Sequence, residues 1–314
     1  MTSSSPRCPV CASCQSVPFA SARDVEYYTS DKPFTYRACT ECHSVFLQDP
    51  PVDQLHIIYP ANYYSYQRVP QGHSVVERVK EYLDRQLFRK LLEQIRGDDL
   101  RVLDVGGGSG WLLTLVRKVS TRVKHTHEVD MDENARRFAE ESGHIFHCGR
   151  IEVFSSPLSF QLILMLNLIE HVADPAAVLQ AMRRLLSPGG LLLIKTPNVE
   201  TLDCRLFRNH NWGGFHCPRH FVLFNRRSLI KVAQESGLTL VSATYTQGAP
   251  QWACSILGWM GLRQWIRVSS ERPLYLHPLY PIVCAIAAAF DFIRGAVMPT
   301  AQMFAVFRRS DELR

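Results

Sequence analysis

Two groups of residues in this 314-residue sequence have the types and spacing to do chemistry: cysteines near its start and a glycine-rich run beginning at Asp104. Five of the ten cysteines fall within the first 42 residues, and four of these form two Cys-x2-Cys pairs, Cys8/Cys11 and Cys39/Cys42. Each pair can fold into a tight knuckle that offers two sulfurs to one tetrahedral ion, so Cys8, Cys11, Cys39 and Cys42 are expected to bind Zn2+. Cys14 and His43 lie close enough in sequence to substitute for one of them. Four thiolates close such a site and leave no position for a reacting water, so its expected role is structural. The start of the chain, Met-Thr-Ser-Ser-Ser-Pro, carries no apolar signal segment. Clustered thiols without one point to metal in a reducing, cytoplasmic setting and not to disulfides.

The glycine run reads Val102-Leu-Asp104-Val-Gly106-Gly-Gly108-Ser-Gly110-Trp-Leu. A nicotinamide fingerprint would place glycine where Trp111 stands, and a phosphate loop would need Lys-Ser/Thr after its second glycine. What remains is a turn whose backbone can approach a ligand closely, with Asp104 offering a carboxylate to a cationic group. An acidic residue at the end of the next strand would pair with ribose hydroxyls, as it does in dinucleotide folds. Asp130 has that place. Glu128 and Asp132 compete for it, because a slip of strand register would exchange them.

Two histidines stand where a base would be useful. His171 follows the fourth strand, at the carboxyl edge of a sheet where ligands bind, and is the first candidate; the alternative is a histidine that only holds its loop. His220 is the second. It lies in a stretch rich in cations and aromatics, among them Arg205, Arg208, His210, His216 and Arg219, which could clamp an anionic acceptor or form a solvated basic face. Asp49-Pro-Pro-Val52 lacks an aromatic and precedes the sheet, so it reads as linker. His125 and His127 alternate along a strand without further ligands nearby, which is thin ground for a metal.

The elements that must position these groups alternate. Apolar residues recur every four positions from Val75 through Val79, Leu83, Leu87, Leu91 and Ile95, predicting an amphipathic helix ended by Gly97. Strands are predicted at 101–105, 123–129, 145–148, 162–166, 191–195 and 238–244, with helices at 109–119, 132–142, from Asp174-Pro175 to Leu186, and at 228–236. Pro188-Gly189-Gly190 is read as a turn. Such alternation means a parallel sheet with crossover helices, and Met303–Arg308 could close it antiparallel.

The composition is that of an ordinary globular protein, 46% apolar and 20% charged, with a net charge of +6. Within residues 1–60, four cations face six acids, which argues against nucleic acid as the partner of a zinc ribbon. The run 279–293 is apolar but too short to span a bilayer, and Asp291 interrupts it. A packed helix or homo-oligomer interface is the first reading, peripheral contact with the inner face of a membrane the second.

From about Arg101 to Leu238 the sequence resembles class I S-adenosylmethionine (SAM)-dependent methyltransferases, in the subgroup of ubiquinone-type and sugar or cell-envelope enzymes. The loop above carries the resemblance, with Leu168-Ile-Glu-His171-Val, Leu185-Leu-Ser-Pro-Gly-Gly-Leu-Leu-Leu-Ile-Lys-Thr-Pro-Asn198 and Pro218-Arg-His220-Phe-Val-Leu-Phe224. The cysteine pairs followed by Tyr59-Pro-Ala-Asn-Tyr-Tyr-Ser-Tyr66 resemble a zinc-binding segment found ahead of some members. The resemblance implies a Rossmann-like α/β fold with a mostly parallel seven-stranded sheet and a small zinc-ribbon-like module. It further implies SAM held by Asp104, Gly106, Gly108, Gly110, Asp130, Ile151 and Asn167. Two places depart from the pattern: Phe160-Gln161 replaces the usual Phe-Asp, and Arg150-Ile-Glu152 lacks the polar residue expected near adenine.

The expected organisation is a module at 1–48, a linker at 49–74, a SAM-binding core at 75–248, an apolar helical insertion at 249–300 and a closing strand and tail at 301–314. The expected reaction is methyl transfer to an O or C atom of a small or lipid-linked acceptor, such as an envelope sugar. A quinol or hydrophobic aromatic is the alternative acceptor, and a non-catalytic SAM-binding or zinc-ribbon interaction protein the alternative class.

Overall fold

The structure is a computed structural model that describes residues 6–60, 63 and 75–312. Tyr64, Tyr66 and most of the second half of the expected linker lie outside the described residues. The chain begins with three short strands, β1 (Ser16–Ala22), β2 (Phe34–Cys39) and β3 (Val45–Leu47). The region expected to be linker then carries a 3-10 turn at Val52–Gln54 and a short helix, α1 (Leu55–Ile58). It is built structure because Ile58 is buried and Leu55 packs on the core.

The main sheet follows. Helix α2 (Val75–Glu93) leads to β4 (Leu100–Val105), α3 (Trp111–Val119), β5 (Val123–Asp130), α4 (Glu133–Glu141), β6 (Ile145–Cys148) and β7 (Phe160–Leu166). After these come α5 (Pro175–Leu185), β8 (Leu186–Pro197), α6 (Leu202–Phe207), β9 (Val222–Leu223), α7 (Arg226–Glu235) and β10 (Leu238–Thr246). Two helices, α8 (Ala249–Leu262) and α9 (Leu279–Arg294), precede β11 (Gln302–Arg309). The seven strands are ordered β10-β11-β8-β7-β4-β5-β6. β4, β5, β6, β7 and β8 run parallel, and β11 is antiparallel to both neighbours, as the sequence predicts. Strand β7 is almost wholly buried, which is why Phe160-Gln-Leu-Ile-Leu-Met-Leu166 reads as an apolar run and not as an alternation.

Local signals set the helix starts. Asp174 accepts a hydrogen bond from the Ala177 amide ahead of Pro175, and Asn225 and Ser228 form a reciprocal cap at α7. Pro188-Gly189-Gly190 does not end a strand but bulges from the β7–β8 ladder, where the register shifts between Phe160 and Leu162. The α2 stripe also differs from expectation: Val79 and Leu83 are exposed, while Phe88, Leu91, Leu92 and Ile95 are buried. A strict four-residue spacing drifts around a 3.6-residue helix, so the buried face is taken up by a mixed three- and four-residue spacing nearer its end.

The amino-terminal strands form a second, four-stranded sheet that they do not complete alone. Their order is β1-β2-β3-β9, with β9 contributed by the segment after α6. One apolar core runs from Cys8, Tyr36 and Phe46 through Phe224 and Leu229 to Ile163 and Met303 of the main sheet. The cysteine segment is therefore bonded into the face of the large domain.

Candidate active site

Strand β4 is buried because four of its six residues are large and apolar, and it delivers Asp104 and Gly106 to the carboxyl edge of the sheet. The chain then turns through Gly106, Gly108 and Gly110 at φ of 73°, 60° and 67°. Gly110, the N-cap of α3, needs glycine twice over: its φ is left-handed, and a Cβ there would lie 2.7 Å from the His144 ring. A Cβ on Gly107 would come within 2.8 Å of Asp104 Oδ2, so the loop lies directly on that carboxylate.

Three acids surround the loop in different states. Asp104 and Glu128 are register partners across β4 and β5, 1% and 0% exposed. Neither Asp104 Oδ2 nor either Glu128 oxygen has a hydrogen-bond partner among the described residues. Burial, then the neighbouring Asp130, pushes Asp104 up to about 7; burial, then Asp104 and Asp130, pushes Glu128 up to about 9. Asp130 stands at the edge, where its carboxylate accepts hydrogen bonds from the amides of Gly108 (3.1 Å) and Asp132 (2.9 Å). Asp132 instead caps α4 through the Asn134 amide. Of the three contenders from sequence, Glu128 is thus beneath the loop, Asp132 at the helix start, and Asp130 at the end of β5 facing the cavity.

That cavity, of about 410 Å3, opens beyond the carboxyl ends of β4, β5 and β7, the usual ligand position in such sheets and a usual size for one. Gly106, Gly108, Asp130, Ile151, Asn167 and His171 all line it. Asp104 and Gly110 lie behind the loop, and His220 behind His171; none of these three lines the cavity.

His171 is held from two sides. Its Nδ1 lies 3.0 Å from the Arg219 carbonyl oxygen and 2.9 Å from the Tyr59 hydroxyl. In the tautomer that donates from Nδ1 to this carbonyl, Nε2 keeps its lone pair; in the other, Nδ1 accepts from the Tyr59 hydroxyl. His220 repeats the arrangement, with Nδ1 2.8 Å from the Gly214 carbonyl and Nε2 3.9 Å from Glu170 Oε1. Glu170 is fully buried; its Oε2 accepts from Thr196, its Oε1 has no partner, and burial pushes it up to about 7. Donor atoms of Glu170, His171 and His220 lie within 4.8 Å of one another, the spacing of a two-histidine, one-carboxylate cation site. Burial, then the neighbouring His216, lowers His171 to about 3, so both it and the similarly depressed His220 are neutral at ordinary pH.

The basic stretch around His220 does not assemble an anion clamp at the cavity, one of its two readings from sequence. Arg205, Arg208 and His210 are exposed, and none of these cations lines the cavity. Arg219 is fully buried and paired with equally buried Asp24 at 2.8 Å, while it donates to the Ile58 and Cys217 carbonyls. Burial works to raise Asp24, but the Arg219 charge and its hydrogen bonds outweigh that and hold it below its ordinary value. His216 is likewise engaged: its Nδ1 meets Glu26 at 2.9 Å and its Nε2 meets the Tyr63 hydroxyl at 3.2 Å.

The four paired cysteines converge. Cys8 and Cys42 sulfurs are 3.6 Å apart, as are Cys11 and Cys39, and all four lie within 4.8 Å of one another. Sulfurs at tetrahedral corners around one zinc are about 3.8 Å apart, and the Val10 amide donates to Cys8 Sγ as in a metal knuckle. The donor set fits a Zn2+ ion. Cys14 is exposed and outside the cluster, as is His43.

Residues 77–243 match the family model described as a methyltransferase domain. The chain belongs to that family. The fold is that of the class I SAM-dependent methyltransferases: a crystal structure of coclaurine N-methyltransferase, bound to N-methylheliamine and S-adenosylhomocysteine (SAH), matches with a TM-score of 0.51 at 15% identity, covering 83% of this chain and 80% of that one. Among curated relatives, the ubiquinone biosynthesis O-methyltransferase of Bradyrhizobium sp. (strain ORS 278) is 24% identical over 172 residues, 50% of this chain and 66% of the relative. That of Neisseria meningitidis serogroup A is 27% identical over 167 residues, 46% of this chain and 70% of the relative. The chain thus spans about two thirds of the length of these relatives.

For a methyltransferase domain, the groups that sequence reasoning missed are those supplied from outside the core. Tyr59 on His171, Tyr63 and Glu26 on His216, and Asp24 on Arg219 all come from the first 63 residues. The aromatic run at Tyr59 and Tyr63 was the only visible signal for any of them.

Proposed function

We propose that this methyltransferase carries a methyl group from SAM to a hydroxyl of a hydrophobic aromatic, quinol-like acceptor. Bound SAM supplies a methyl group activated on a sulfonium sulfur. In this reading Asp130 accepts from the ribose hydroxyls, the backbone at Gly106 and Gly108 lies along the ligand, and Ile151 and Asn167 flank the remainder. Asp104 offers negative charge toward the cationic end. The observation that carries the reading is one cavity lined by the glycine loop, Asp130 and His171 together. His171 Nε2 would accept the acceptor's hydroxyl hydrogen bond and, being a weak base at about 3, would take the proton as the forming O–CH3 bond makes that hydroxyl strongly acidic, while placement of the hydroxyl supplies much of the rate.

The choice of acceptor rests on two supports. The acceptor end is walled by Val52, Leu55, Val172 and Phe221, and the relatives described above are named for ubiquinone biosynthesis. The envelope sugar anticipated from sequence has neither support. Zn2+ at Cys8, Cys11, Cys39 and Cys42 completes the reading as a structural ion that holds β1, β2 and β3 over the acceptor side.

Calorimetric titration of SAM and SAH, with zinc measured on the same sample and turnover measured on simple catechols, tests it. Binding with O-methylation supports the reading. Binding without methylation of any phenol moves the acceptor elsewhere. Absence of binding to folded, zinc-loaded protein makes the non-catalytic interaction protein the better account.

A further inference from the structure

Helix α9 is built inside out. Between Pro278 and Thr300 the only charged residues are Asp291 and Arg294, and these are the ones turned inward. Asp291 accepts hydrogen bonds from the Gly248 amide (2.9 Å), the Trp252 indole (3.2 Å) and the Arg294 guanidinium (2.6 Å). The large apolar residues face out: Ile286, Ile293 and Val297 are 66%, 75% and 84% exposed, with Ile282, Phe290 and Phe292 also exposed. A helix that satisfied water would have placed these two sets the other way round.

The connection between α8 and α9 is anchored on the same small cluster as the start of α9: Ile266, Val268, Tyr280 and Val283 all pack against Val25, Cys254, Leu257 and Leu274. It presents Arg263, Arg267 and Arg272 to solvent against a single acid, Glu271, and its Trp265 is also exposed. Apolar residues exposed along one helix, with an exposed indole and three exposed guanidinium groups in the connection that leads into it, are what a phospholipid surface with anionic headgroups recognises. No helix among the described residues is long and apolar enough to cross a membrane.

We infer that α9 lies in the plane of an anionic phospholipid surface, its apolar face among the acyl chains and Arg263, Arg267 and Arg272 on the headgroups. A second copy of the chain fits the face less well. Sixteen helical residues make a strip of about 24 Å by 10 Å, roughly 240 Å2, against about 800 Å2 per partner in a stable dimer. The position also serves the site. Tyr275, just before α9, lies 6.0 Å from Tyr27, which lies 5.4 Å from Tyr63 on the cavity wall. Resting on the proposed function, this places the acceptor end of the cavity near the membrane from which a hydrophobic quinol would come.

Co-sedimentation of the full chain with vesicles tests the inference, using phosphatidylcholine alone and phosphatidylcholine with about one-third phosphatidylglycerol. Wild type should sediment with the anionic vesicles, and the double variant Ile286→Glu/Ile293→Glu should partition at least about tenfold less. Arg263→Glu/Arg267→Glu should lose the preference for anionic over neutral vesicles. Both pairs are exposed, so SAM titration should be unchanged in the variants and reports that they are folded. Wild type that stays in solution with both vesicles overturns the inference, as does equal sedimentation of all variants. So does a dimer by sedimentation velocity that the Ile286→Glu/Ile293→Glu change dissociates, which would give the face to a second copy. Failure of wild type to bind SAM would sink the proposed function and leave the vesicle result standing.

Discussion

Both ends of the cavity bury carboxylates, but they treat them differently. At the cofactor end, Asp104 and Glu128 lie under the glycine loop with three oxygens unpartnered and no cation against them. At the acceptor end, Asp24 is matched by Arg219 and Glu26 by His216. An unpaired buried carboxylate is costly unless it takes a proton or meets a cation. The first end therefore leaves its charge unmet until a positively charged ligand or protons arrive, whereas at the second Arg219 meets Asp24, His216 bonds Glu26, and a single oxygen of Glu170 is left without a partner among the described residues.

The sharpest way to break that contrast is to make the acceptor end resemble the cofactor end. Arg219→Ala strands Asp24 without its cation and should cost about 3–5 kcal/mol in denaturant unfolding. An unchanged midpoint would mean that the pair holds nothing together. His171→Ala leaves the wall standing but removes the proposed base; kcat should fall at least about 100-fold with SAM affinity unaltered in calorimetry. At the cofactor end, Asp130→Ala should weaken SAM and SAH binding about tenfold or more through loss of a charge-assisted contact, without lowering thermal stability appreciably.

The smallest effect is the most diagnostic of the end whose charge is unmet. Glu128 rises from 4.5 to about 9 and Asp104 from 3.8 to about 7 on folding. A raised carboxyl stabilises the fold fully below its unfolded value, and this contribution is lost as pH climbs through the folded one. Ligand-free protein should therefore lose stability between about pH 4.5 and 9. Glu128→Gln should flatten that slope in melting curves recorded across the window. SAM affinity should rise with pH through about 7, as Asp104 becomes the anion that a cationic ligand prefers; affinity independent of pH would place that charge elsewhere.

The same contrast explains what could be read from the sequence. Asp104, the glycines and Asp130 form a local pattern, two strands and one turn apart, and each strand is marked by its own apolar run. Glu128 and Asp132 remained competitors only until the parallel register of β4 and β5 put Glu128 beside Asp104. The acceptor wall was not legible because its pairs join residues from opposite parts of the chain. Arg219 looked like one of several surface cations, and nothing near it in sequence reveals that Asp24 neutralises it. The segment after Asp49 looked like linker because its role, lining the cavity with Leu55 and Tyr59, depends on what it packs against and not on any periodicity of its own.

The pairing of β3 with β9 has a consequence for how the molecule is made. Both cysteine pairs precede the main sheet in the chain, so Zn2+ bound to them would gather β1, β2 and β3 while the strands that follow are still being synthesised. The edge of β3, Val45-Phe46-Leu47, has to wait for Val222 and Leu223, which follow five of the seven strands of the main sheet. Until then the nascent chain exposes a short apolar edge open to any other strand. Deleting the first 48 residues would transfer that liability to β9, so neither portion is an independent cassette: each is the other's protection against aggregation.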